Sequence, residues 1–420
     1  MGELWFPYGS TEVSVRIPEE NLLGTIEPRV LPSVPDVRGE IARALENPIN
    51  SKRLIEMVKP EDKVVIVIDD HTRPMTGTIM LPPLLDELSQ AGIKDGNITI
   101  LIATGTHRAV NSEEAQRLVG EDASKRFNVV CHDCRAPDLV EVGTTSQGVR
   151  VKLNRTFSDA SFKILTGDIN LHYYAGYGGG RKSILGIAGL ETIQGNHAML
   201  LKPRAQSGVI EGNPIDKDLN EMAEMAKVNF ILNVVMNKDN GVVKAFAGDL
   251  QQAFLEGVKI VDEMCKVEVE RAADILVISA GGSPYDIDLY QSYKAIHDSL
   301  EIVKDKGVIV LIAECPEGYG NQVFYDWMTR YKKAEEMEAE IKRRFVLGGH
   351  KAYYLSKALE KVRIILVSIM PDFYATGIFK LRTAKTANEA LHSAFSLAGK
   401  SSKIWALPKG SITLPVLKKA

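Results

Sequence analysis

From residue 63 onward, short runs of β-branched and aliphatic residues alternate with stretches of helical spacing, the pattern that builds a parallel sheet covered by helices. The first series predicts strands at Lys63–Ile68, Asn97–Ala103, Asn128–Cys131 and Phe162–Thr166. Between the first two, LPPLLDELSQAG repeats leucine at helical intervals and Gly92 reads as its C-terminal stop. Asn111, followed by Glu114, reads as a capping box that opens a helix over 112–119. A hairpin is expected around Asp239, Asn240 and Gly241, then a helix over 250–266. The charged stretch KVEVERAAD follows and reads as a domain boundary. A second series predicts strands at Ile275–Ser279, Val308–Ile312 and Ile364–Val367, with helices near 290–304, 333–345 and 351–361. The expected fold is therefore α/β in two domains, each a mainly parallel sheet flanked by helices. Residues 1–266 form the first and 272–402 the second, with 403–420 packing back onto the first.

In such sheets ligands bind beyond the carboxyl ends of the strands. The strand ends here are rich in polar groups: DDHTRP after the first, TGTHR after the second, His132 and Asp133 after the third, and GDINLH after the fourth. One such residue is more often a helix cap or a satisfied polar group than a catalyst. Several on one sheet edge mark a cleft.

Composition narrows the classes. The 420 residues carry 51 Lys and Arg against 54 Asp and Glu, a net charge of −3, so no bulk field attracts nucleic acid or anionic lipid. Four cysteines are too few to staple the chain, which points to a reducing compartment. The opening MGELWFPYGS lacks the basic flank and apolar core of a signal peptide, and apolar runs break well short of the roughly 20 residues needed to span a bilayer. The expectation is a cytoplasmic protein without nucleic-acid or membrane partners.

GYGGGRKS, residues 176–183, invites a phosphate-loop reading, but Arg181 stands where G-x-x-x-x-G-K-[ST] needs glycine, and the dinucleotide fingerprint does not fit either. What remains is a close-approach loop presenting Lys182, or a surface turn with Arg181 and Lys182 in solvent. Cys131 and Cys134 have C-x-x-C spacing without a second pair, which favours a structural role. In the second domain Tyr290, Gln291 and Lys294 share a helix face and suit a carboxylate or phosphate ligand, or form a solvated face.

Taken together, DDHTRP, TGTHR, HD at 132–133, GDINLHYYAGYGGGRKSI, GNH and LYQSYKA resemble the lactate racemase family, in one order over nearly the whole chain. The resemblance implies an active site in the interdomain cleft and a bound nickel-pincer nucleotide, pyridinium-3-thioamide-5-thiocarboxylic acid mononucleotide. By position, Lys182 would carry that nucleotide through a thioamide bond and His197 would be the protein ligand to nickel, the other donors being two sulfurs and a carbon of the nucleotide. His107 and His172 would be the paired acid/base groups, Arg73 would grip the substrate carboxylate beside Asp70, and Tyr290, Gln291 and Lys294 would close over the substrate. One departure stands out: where the family is expected to carry a Pro-Gly step after the lysine, this chain reads Ser183, Ile184, Leu185, Gly186, a residue shorter.

The implied reaction interconverts the C2 stereoisomers of a 2-hydroxy acid, lactate or a similar short acid, by hydride removal through a 2-oxo acid. Two histidines serve because each enantiomer presents its hydroxyl on a different side. The resemblance also implies the cofactor-making enzymes as maturation partners. Two alternatives stay open: a sugar-acid 2-epimerase with the same cofactor, and a nickel or cofactor carrier without turnover, which would need no substrate clamp. Tyr353 and Tyr354 are candidate pocket residues without an assigned place.

Overall fold

The computed structural model describes residues 2–418, in two units: residues 30–263 form one, and residues up to 29 together with those from 264 onward form the other.

The 30–263 unit is built on six strands in the order Val242–Gly248, Phe230–Met236, Phe162–Asp168, Val64–Asp69, Ile98–Ala103, Asn128–Cys131. All neighbours run parallel except the outermost pair, which is the expected hairpin. The central strands are buried along nearly their whole length, because helices cover both faces of a parallel sheet. Helices Val37–Glu46 and Gly77–Gln90 pack Ile41, Leu45, Met80, Leu81, Leu84 and Leu88 on one face. The Asn111 box forms as read: its side chain accepts from Glu114 N at 2.9 Å, and Glu114 accepts from Asn111 N at 2.9 Å. The turn expected at 239–241 implies a first arm without fixing its range, and that arm is Phe230–Met236. Its apolar run is broken by Asn233, which is fully buried and satisfied, donating to the Gly167 carbonyl at 2.9 Å and accepting from Gly180 N at 3.2 Å.

The other unit holds a six-stranded, all-parallel sheet in the order Arg382–Ala384, Arg363–Val367, Val303–Ile312, Ala273–Ser279, Ile404–Leu407, Leu22–Thr25. An N-terminal hairpin, Gly2–Tyr8 with Thr11–Ile17, buries Phe6, Val15 and Ile17 against Ile275, Val277, Val308 and Val310.

The expected domain limits therefore need correction at both ends of the chain. The beginning of the chain does not belong with 30–263, and the segment 403–420 does not pack back there: Ile404–Leu407 pairs with Ile275–Ile278, and Leu414–Leu417 pairs with Lys266–Val269. The reason is backbone accounting, since Ala273–Ser279 would otherwise leave one buried edge of donors and acceptors unmet. Met1, Lys419 and Ala420 lie outside the described residues. The helix expected over 290–304 ends at Ser299, where the chain tightens into a 3₁₀ turn and enters the next strand at Val303. No helix among the described residues is long and apolar enough to cross a membrane.

Candidate active site

In the 30–263 sheet the chain winds one way from Val64–Asp69 to Ile98–Ala103 and Asn128–Cys131, and the other way through Phe162–Asp168 and Phe230–Met236. The switch point lies between the ends of Val64–Asp69 and Phe162–Asp168, where an open sheet leaves a crevice. The ends of those two strands carry Asp69, Asp70 and Asp168, while TGTHR and His132 follow the next two strands towards the sheet edge.

His107 Nδ1 lies 2.7 Å from Asp70 Oδ2, so the ring donates to the carboxylate and leaves Nε2 with its lone pair. Thr72 holds the other oxygen, its hydroxyl at 2.6 Å and its backbone N–H at 3.1 Å from Asp70 Oδ1. Asp70 is 2% exposed while the His107 side chain is 36% exposed, a fixed carboxylate under an accessible imidazole. Burial pushes the Asp70 carboxyl up, but hydrogen bonds from His107 and Thr72 outweigh it and hold it below the usual range. Asp70, expected beside the substrate carboxylate, thus has both oxygens engaged within the chain. Arg73, exposed, follows in the turn that the Asp70 carbonyl closes by accepting from Arg73 N at 3.2 Å.

After Phe162–Asp168 a two-residue strand, Leu171–His172, pairs with Gly176–Tyr177. Ala175 N donates to His172 Nδ1 at 3.3 Å, and the His172 ring meets Tyr174 edge-on with centroids 4.4 Å apart. Tyr174 in turn meets His197 edge-on at 5.1 Å. His197 lies in the last turn of helix Leu190–Ala198. Burial first, and then the charge of Lys182, push the His197 imidazole down to about 3, so it is neutral.

The reading of residues 176–183 as a solvated surface turn does not hold. Arg181 is 1% exposed, bound to Asp216, to the carbonyls of Ala175, Tyr177 and Gly179, and stacked 4.0 Å from the Phe254 ring centroid. Residues Gly180–Ile187 form a 3₁₀ helix, so the shortened loop runs on as one regular element into Gly186, whose carbonyl accepts from Gly105 N at 2.9 Å. Lys182 projects from this helix, half-buried. Burial and the Arg73 charge push its amine down to about 7. Asp69 and Asp168 end the two switch-point strands. Burial raises both carboxyls, and the Asp168 charge helps to bring Asp69 to about 7. His132 is buried, its Nε2 donating to the Ala188 carbonyl at 3.0 Å with Nδ1 3.3 Å from Asn154 Nδ2, and burial pushes its imidazole down. Cys131 and Cys134 are free thiols.

In the other unit Tyr290, Gln291 and Lys294 occupy the first turns of helix Leu289–Ser299, capped by Asp288, which accepts from Gln291 N at 2.6 Å. Lys351 lies 4.0 Å from the Tyr290 ring centroid and donates to the Tyr290 carbonyl. Tyr354 packs on His297 with ring centroids 4.6 Å apart, and Tyr353 on Tyr354 at 5.6 Å.

Two family descriptions match the chain: lactate racemase N-terminal domain over residues 8–208 and lactate racemase C-terminal domain over residues 268–414. The chain belongs to the lactate racemase family. It is 35% identical to a lactate racemase of Thermoanaerobacterium thermosaccharolyticum, over 98% of each chain. It is 30% identical to one of Lactiplantibacillus plantarum, over 96% of this chain and 97% of the other. The solved lactate racemase apoprotein of Thermoanaerobacterium thermosaccharolyticum superposes with a TM-score of 0.89 at 34% identity, covering all of both chains. A Thermotoga maritima protein, 19% identical, superposes at 0.62 over 91% of this chain and 97% of its own, a likeness of fold alone. Membership makes the chain an isomerase, a racemase built on two α/β domains.

Proposed function

We propose that the protein interconverts the C2 stereoisomers of a 2-hydroxy acid, lactate or a similar short-chain acid, through the 2-oxo acid. The observation that carries this reading is the Asp70–His107 hydrogen bond, which leaves Nε2 of an exposed imidazole free to accept a hydroxyl proton at the switch point of the sheet. His107 serves one enantiomer and His172, beyond the end of Phe162–Asp168, serves the other. Asp70 keeps the His107 tautomer and stabilises the imidazolium that proton uptake creates. Arg73 holds the substrate carboxylate through two parallel hydrogen bonds while the rest of the molecule pivots. Tyr290, Gln291 and Lys294 are proposed as further substrate contacts.

A C2 hydrogen is too weakly acidic for a side chain to remove, so the reading includes a hydride acceptor: nickel in pyridinium-3-thioamide-5-thiocarboxylic acid mononucleotide, which when bound supplies reversible hydride uptake. The residues present suit that group. His197 is kept neutral and offers a lone pair to a transition metal. Lys182 is half-buried beside two carboxyl groups and is substantially a neutral, nucleophilic amine near neutral pH. Enzymes that make the nucleotide are the implied maturation partners, and the cytoplasm is the proposed location, in keeping with four free cysteines.

The test is incubation of loaded protein with one lactate enantiomer followed by chiral separation, alongside larger hydroxy acids and sugar acids. His107→Ala and His172→Ala are expected to lose racemisation with unchanged circular dichroism, and full activity in either variant sinks the two-base reading. Intact mass of protein co-produced with the cofactor-making enzymes is expected to show a nucleotide-sized adduct that Lys182→Ala lacks.

A further inference from the structure

We propose that Asp218 and Asn196 are positioning residues for the nucleotide site: through their hydrogen bond, helix Pro214–Met225, which also holds the residue before Lys182, fixes His197 at a set place relative to that lysine. This rests on the reading of Lys182 and His197 given above.

Lys182 and His197 stand on separate elements, the 3₁₀ helix Gly180–Ile187 and helix Leu190–Ala198. A group fixed to Lys182 by a covalent bond meets His197 reproducibly only if the two elements do not drift apart. Helix Pro214–Met225 packs against both. Residues two apart on a helix lie about 200° apart around its axis, so Asp216 and Asp218 leave it in different directions. Asp216 takes the Arg181 guanidinium, whose Nε and Nη2 lie 2.7 Å and 2.6 Å from Oδ1. Asp218 Oδ2 accepts from Asn196 Nδ2 at 2.8 Å, and its Oδ1 accepts from the Thr145 hydroxyl at 2.5 Å. Arg181 immediately precedes Lys182, and Asn196 immediately precedes His197. Asn213, the cap of the same helix, adds a third tie: its Nδ2 donates to the Tyr174 carbonyl at 3.0 Å, and the Tyr174 ring is the one that meets both His172 and His197.

Stability alone does not account for the amide at 196. Asn196 and Asp218 are both fully buried, and Asn196 Oδ1 has no hydrogen-bond partner. A leucine pair of similar size would fill the same space without an unmet acceptor or a buried carboxylate. What the polar pair supplies is direction. The last turn of a helix frays, and His197 lies in that turn. The Nδ2 bond pins the turn at the neighbouring residue, and with it the direction in which the imidazole leaves the helix.

The experiment uses full-length protein co-produced with the cofactor-making enzymes: wild type, Asn196→Leu, the double variant Asn196→Leu with Asp218→Leu, and His197→Ala. The double variant removes both partners together, so a misfolded Asn196→Leu would not end the test. Denaturing intact mass gives the fraction of chains carrying the nucleotide. Nickel content during incubation with excess EDTA gives the rate at which the metal leaves. The expected result is a wild-type fraction of adduct in the Asn196 variants, with nickel leaving about 10- to 100-fold faster than from wild type, towards the rate of His197→Ala. Nickel leaving at the wild-type rate overturns the proposal. So does a fall of the adduct fraction in the double variant that matches its loss of nickel, which would make the pair a support of the whole pocket. Nickel held by His197→Ala as firmly as by wild type rejects the reading of His197, and wild type without an adduct rejects that of Lys182, results distinct from the others.

Discussion

Arg181 and Asp216 form an ion pair inside the 30–263 unit, with Nε at 2.7 Å and Nη2 at 2.6 Å from Asp216 Oδ1, and with both side chains nearly closed to solvent. The remaining guanidinium hydrogens go to backbone carbonyls of Ala175, Tyr177 and Gly179, so one side chain fixes both ends of the glycine run that leads to Lys182.

Arg181→Met is expected to cost about 3–5 kcal/mol, because it leaves Asp216 buried without its partner. Arg181→Lys is not expected to restore stability, since an ammonium cannot serve a carboxylate and three carbonyls in the geometry of a planar fork. Urea unfolding checks both, and an unchanged midpoint in Arg181→Met would show that the pair contributes nothing.

Asp70→Asn keeps the size of the side chain but removes the charge that orients His107. Racemisation is expected to fall by about 10- to 100-fold, as when an outer partner of a working histidine is lost. The stability midpoint should move far less than the rate. The check is initial rate by chiral chromatography on loaded protein.

His132 sets a pH dependence of stability. Burial holds its folded-state imidazole below the ordinary histidine value, so the unfolded chain takes up the proton first. The contribution is fully present above about pH 6.5 and is lost as pH falls below that value. His132→Gln can still donate to the Ala188 carbonyl but does not titrate. Its melting temperature is expected to fall less steeply than wild type on acidification from about pH 7 to about pH 5. Parallel curves would exclude His132 as a contributor.

Gly176 and Gly148 separate backbone strain from crowding. Both have positive φ, 79° and 83°. A Cβ at Gly176 would lie 2.2 Å from the Val209 carbonyl oxygen, whereas Gly148 has nothing within 4 Å. Gly148→Ala should cost about 1 kcal/mol for the left-handed conformation, and Gly176→Ala several-fold more. Equal unfolding midpoints would contradict this.

Of the strands from Lys63 to Thr166, VVIVID was legible because a parallel sheet covered on both faces demands an aliphatic run, and the other three because β-branched and aliphatic residues predominate even around Thr99 and Lys163. The range of Phe230–Met236 escaped because Asn233 interrupts its run, and the partners that make a buried amide tolerable, the Gly167 carbonyl and Gly180 N–H, are far away in sequence. The strand-end polar residues of the site were legible as a set, since the edge of an α/β sheet is where ligands bind. Their pairing was not. Nothing local in DDHTRP says that Asp70 turns to His107 while Asp69 turns towards the lysine-bearing helix, and nothing in GYGGGRKS says that the arginine is the buried residue and the lysine the more open one.

The second sheet carries a cost in time. Its edge strand Leu22–Thr25 pairs with Ile404–Leu407, so the first segment of this sheet to leave the ribosome waits for almost the last. At typical elongation rates of about 5–20 residues per second, that wait is roughly 20–80 s. Residues 30–263, whose strands are complete among themselves, are free to fold within it. The nascent chain therefore holds the apolar hairpin of Phe6, Val15 and Ile17 without its sheet for most of synthesis. That leaves the amino-terminal segment of the newborn polypeptide in need of chaperone cover.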